Sequence, residues 1–77
     1  MSNLKIIETK ICKEFVSTYF PDRSYHLKTT YHLIWALTSK GWYYHNVKHI
    51  NPDHAARMQL KIHAKSKLNT NHWSTIL

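Results

Sequence analysis

Three breakers divide this chain and limit how many elements it can form: its two prolines, Pro21 and Pro52, and its single glycine, Gly41. Proline fixes its own φ and disfavours helical geometry in the residue before it, whereas glycine takes left-handed conformations at little steric cost. In the first segment Leu4, Ile7, Ile11, Phe15 and Tyr19 recur at spacings of three and four, the period of one helical face. That spacing predicts a helix ending near Phe20.

Pro21-Asp22-Arg23-Ser24 is turn chemistry, and Asp22 or Ser24 can cap a second helix in which Leu27, Tyr31, Ile34 and Leu37 share a face. Leu33 and Trp35 widen that stripe. Lys40 followed by Gly41 reads as the helix C-terminus, a cation suiting the dipole before a residue able to close the last turn. Residues 42–50 satisfy neither period, which leaves strand, short helix and packed loop open.

Residues 51–68 carry two conflicting signals. Asn51 as cap, Pro52 at the first helical position and Asp53 in the first turn form a helix start. Yet Met58, Leu60, Ile62 and Ala64 alternate with polar residues, as in a half-buried strand paired back onto residues 42–50. The run lacks the Val, Thr, Tyr and Phe that strands favour, so the helix is preferred. Its apolar residues then fall in two sets, Ala55, Met58 and Ile62 against Ala56, Leu60 and Ala64.

The predicted fold is therefore all-α, a compact three-helix domain spanning residues 1–77; the alternative is α+β, two helices plus a C-terminal β-hairpin. Seventy-seven residues allow one core, since a chain this short hides only roughly 60 % of its unfolded surface. A content of 43 % hydrophobic and 13 % aromatic residues separates it from disordered chains. In the tail, Trp73, Ile76 and Leu77 are expected to dock on the body or on a partner.

Eleven Lys and Arg against four Asp and Glu give a net charge of +7. Arg57, Lys61 and Lys65 lie four apart and would form a basic stripe on the last helix, with His54 beside it and Lys67 following. Lys40 and Lys48 flank Trp42 and Tyr44, a mixture of cations and rings suited to unpaired nucleotides, and Trp73 is a further aromatic contact. Nucleic acid, or an acidic or nucleic-acid-binding protein complex, is the expected partner.

No nucleophile, base and acid come together in the pattern, and all four carboxylates have turn, cap or surface roles, so enzymatic activity is not expected. His45 and His49 have a spacing that would bring two imidazoles together on a helix, but no further ligand completes a metal set, and no metal or cofactor is expected. Cys12 alone cannot form an internal disulfide, and charges interrupt residues 1–20, so a cytoplasmic protein with no membrane segment is expected.

Two functions follow from this reading. The first is a small basic regulator that binds nucleic acid through its C-terminal helix. The second is an inhibitor or adaptor of the kind carried by phages and mobile elements, anti-CRISPR-like in role, which binds a host protein or ribonucleoprotein complex with Trp35, Trp42 and Trp73 as anchors. Two apolar sets on the last helix would also suit a homodimer.

Overall fold

The computed structural model of the chain describes residues 3–75. Two long strands, β1 (Asn3–Phe20) and β2 (Tyr25–Thr38), form a hairpin, followed by β3 (Gly41–His45), helix α1 (Pro52–Lys65), β4 (Lys67–Asn69), a 3-10 turn (Thr70–His72) and β5 (Trp73–Thr75). The strands make one antiparallel sheet in the order β4-β1-β2-β3-β5, and α1 packs on one of its faces. The all-α fold is overturned, and so is the two-helix alternative: both N-terminal helices are strands, and the protein is not helical but mostly sheet.

The reason for the first miss lies in a bulge. Pairing runs from Ile6 opposite Thr38 directly to Glu8 opposite Leu37, so Ile7 is an extra residue in β1. Leu4 and Ile6 point to the α1 side before the bulge, and Thr9 and Ile11 after it. The slip converts a period of two into spacings that imitate a helical face. The supposed stripe is not one buried face: Leu4 is buried, but Ile7, Phe15 and Tyr19 are 60 %, 78 % and 53 % exposed.

In β2 the cause is different. His32, Ile34, Ala36 and Thr38 are buried on the α1 side, while Tyr31, Leu33, Trp35 and Leu37 are half-buried on the other. A strand apolar on both sides shows no alternation, and such a run cannot be told from a wide helical stripe by periodicity. Continuous pairing with β1, rich in Ile, Thr, Val, Phe and Tyr, settles the backbone in favour of the sheet.

The expected turn at 21–24 is present, but it joins strands: the Arg23 amide donates to the Phe20 carbonyl at 3.2 Å, and Ser24 closes it at φ 51°. Lys40-Gly41 is likewise a hairpin corner rather than a helix end. Ser39 and Lys40 form a two-residue loop between the paired Thr38 and Gly41, whose φ of 107° suits glycine. Thr38 Oγ1 accepts from the Lys40 amide (3.2 Å) and donates to the Gly41 carbonyl (2.9 Å).

The C-terminal helix stands as expected. Asn51 Oδ1 accepts from the amides of Asp53 (2.9 Å) and His54 (3.4 Å), Pro52 opens the first turn, and Ser66 ends the helix at φ 55°. Ala55 is buried and Met58 and Ile62 half-buried towards the sheet, whereas Leu60 is 70 % exposed. Gln59 Nε2 donates to Thr9 Oγ1 at 3.3 Å and ties α1 to β1.

The core between α1 and the sheet is small. Leu4, Ile6, Ile34, Ala36, Ala55 and Leu68 are buried, with Tyr43, Ile62 and Trp73 packed against it. Ala36 and Ala55, one in each layer and both without exposed surface, let helix and sheet approach closely. Trp73 thus docks as the tail reading expected; Ile76 and Leu77 lie outside the described residues. Beyond the bridge from His32 to His49, the β1–β2 hairpin continues as a two-stranded arm. No helix among the described residues is long and apolar enough to cross a membrane.

Candidate functional site

Helix α1 carries the row that the sequence suggested. Its 100° rotation per residue leaves Arg57, Lys61 and Lys65 on adjoining parts of its surface, all exposed, with His54 exposed one turn before. Ala55, Met58 and Ile62 hold α1 to the sheet, and the row runs from Arg57 on the far side of the helix to Lys65 beside Met58 and Ile62. Among the described residues none of these cations is in an ion pair; the one ion pair is Lys48 with Glu14, at 3.2 Å.

Folding extends this row beyond the helix. A groove between α1 and the C-terminal segment is lined by Lys65, Lys67, Asn69, His72, Trp73 and His45, together with the apolar Met58, Ile62 and Leu68. No carboxylate lines it among the described residues. Lys65 and Lys67 enter it from the two sides of the Ser66 cap, and Trp73 is brought there by β5 pairing with β3.

Histidines form the wall behind the groove. The rings of His45 and His49 are parallel, with centroids 5.7 Å apart, and His54 lies 5.1 Å from His49. His45 also meets Trp73 edge-on at 5.1 Å. Main-chain hydrogen bonds of 2.7 and 3.1 Å fasten His49 to His32, and both are buried. Burial, and then the neighbouring His54 and His32, lower the pKa of His49. Burial is also the main cause at His45, with His49 and His72 adding to it and a backbone contact at Val47 opposing.

The spacing of His45 and His49 therefore does bring two imidazoles together, although on a strand end and loop rather than a helix. Among the described residues no group of three or more His, Cys, Asp or Glu is placed to hold a metal ion. His49 Nε2 is buried without a hydrogen-bond partner.

The remaining suggested residues lie elsewhere. Trp42, Tyr44 and Lys48 belong to the open face of the sheet, away from α1, and Lys40 sits in the β2–β3 corner. On that face Lys10 Nζ lies 4.6 Å from the Trp42 ring centroid, Lys48 Nζ 5.3 Å from that of Tyr31, and Trp35 rests against Tyr44 at 5.1 Å. The basic row and two of the aromatic contacts are thus on opposite sides. His45, His72 and Asn69 were missed as groove residues, since only folding brings them to Lys65; the pairing of Lys10 with Trp42 was missed for the same reason.

The chain matches no family model, no curated protein and no solved structure.

Proposed function

We propose that this protein binds nucleic acid, without catalysis, by laying Arg57, Lys61 and Lys65 of α1 and Lys67 beyond its cap along the phosphate backbone. One observation carries the reading: three exposed cations follow one another along α1 and Lys67 stands two residues beyond, with no ion pair to them and no carboxylate in the adjoining groove among the described residues. Phosphates that replace condensed counterions gain affinity from such a row, and Trp73 offers an aromatic edge beside it.

Four phosphate contacts correspond to a slope of roughly −3 to −4 in log affinity against log salt. Fluorescence anisotropy of a labelled duplex and a labelled single strand, titrated at several salt concentrations, measures it. The triple variant Arg57→Glu, Lys61→Glu, Lys65→Glu is expected to bind neither. Unchanged affinity in that variant, or binding indifferent to salt, contradicts the proposal.

A second reading, docking on a host protein or ribonucleoprotein complex, draws on the arm. Phe15, Tyr19 and Leu27 are 78 %, 53 % and 50 % exposed there, more apolar surface than a two-stranded ribbon keeps in water without use. A partner retained from nuclease-treated lysate by the protein, and lost with Phe15→Glu, supports it; capture that vanishes on nuclease treatment opposes it.

A further inference from the structure

Strand β2 is built for two covered sides and has one. Towards α1 it places Ile34 and Ala36, both fully buried; away from α1 it places Tyr31, Leu33, Trp35 and Leu37, none of them fully buried. A strand with one wet face alternates apolar with polar residues, whereas a strand between two layers is apolar throughout. Trp42 and Tyr44 of β3 extend the same open face, opposite Leu37 and Trp35.

Charge on this face differs from the rest of the molecule. Glu8 and Glu14, two of the four acidic residues, lie on it with Lys10 and Lys48, so its central part is balanced in a chain of net charge +7, while Lys5 and Lys67 stand at its β4 edge. Two copies of a strongly basic chain repel over most of their surfaces and approach most easily where the charge cancels. Phosphates gain least there, which favours another copy over nucleic acid as the occupant.

We infer that two copies of this chain pack through their open faces, sheet on sheet about a two-fold axis, burying Leu33, Trp35, Leu37, Trp42 and Tyr44. A two-fold axis sets the same patch against itself, so the Lys and Glu of one copy meet those of the other. Stacked sheets lie about 10 Å apart with interdigitated side chains, an arrangement open to this face. The molecule extends 47 × 28 × 16 Å, and the broad side has room for the about 800 Å² that each partner gives to a standard interface. Helix α1 stays on the outer side of each copy, so the inference stands independently of the nucleic-acid reading.

Sedimentation velocity over a wide concentration range tests it. The wild type is expected to pass from the mass of one chain to that of two. Trp35→Glu, with a wild-type circular dichroism spectrum, is expected to stay at one; Leu60→Glu, on the exposed side of α1, is expected to pair as the wild type does. Cys12 supplies a measurement that needs no variant, because it is free and half-exposed on this face between Lys10, Trp35 and Trp42. Its alkylation is expected to slow as protein concentration rises. The inference is overturned by a single-chain mass throughout, by Cys12 alkylation independent of concentration, by dimers that persist in folded Trp35→Glu, or by a single-stranded oligonucleotide that shields Cys12 in the single chain.

Discussion

The two faces of one sheet show what a thin protein does with its apolar residues. On the covered face the side chains are small or branched: Ile34 and Ala36 fit beneath α1, and Leu4, Ile6 and Leu68 complete a dry core. On the open face they are large and half-wet: Trp35, Trp42, Tyr44 and Leu37. Close packing rewards the first set for fitting and leaves the second with area still to bury. The exposed surface of α1 carries Arg57, Lys61 and Lys65, and the centre of the open face is balanced.

Adjacent residues of β2 give the sharpest way to break this comparison. Ile34→Ala is expected to lower the unfolding free energy by about 2–5 kcal/mol, as removal of a fully buried side chain does. Trp35→Ala, measured in dilute protein, is expected to cost about 1 kcal/mol. Urea denaturation compares them, and equal costs would make the open face part of the core.

Acidification acts on the covered side through His45 and His49. The pKa values of His45 and His49 are lowered in the fold, so the fold favours their neutral forms. Their stabilising share is present above the unfolded value of 6.5 and is lost as pH falls through the lowered folded values. The melting temperature is expected to drop from neutral pH towards the upper edge of the carboxylate range, and His49→Gln to flatten that drop. A melting temperature that holds or rises on acidification would contradict the buried histidine wall.

Smaller effects sharpen the helix layer. Asn51→Ala is expected to cost about 1 kcal/mol by freeing the amides of Asp53 and His54. Leu60→Ala, on the exposed side of α1, is expected to change stability by no more than about 0.5 kcal/mol. A larger loss at Leu60 in urea denaturation would mean that this side of α1 is covered.

These contrasts also explain which parts of the fold could be read from the sequence. Helix α1 was legible because its signals are local: the Asn51 cap, Pro52 and Asp53 act within one turn. The turn at 21–24 was legible for the same reason. Strands β1 and β2 were not, because a bulge at Ile7 broke the alternation of one and two-sided apolarity hid that of the other. Their conformation depends on pairing between residues far apart in the chain. The basic row on α1 was readable, but its neighbours His45, His72 and Trp73 arrive through β3–β5 pairing, which no local pattern announces.

The three tryptophans report on both faces at once. Trp35 and Trp42 stand on the open face and Trp73 in the groove beside Lys65 and Lys67. In ¹H–¹⁵N spectra, raising the protein concentration is expected to move the indole signals of Trp35 and Trp42 and to leave Trp73 in place. Adding an oligonucleotide is expected to move Trp73 and leave the other two. An oligonucleotide that moves Trp35 and Trp42 without Trp73 would contradict the division of labour between the faces.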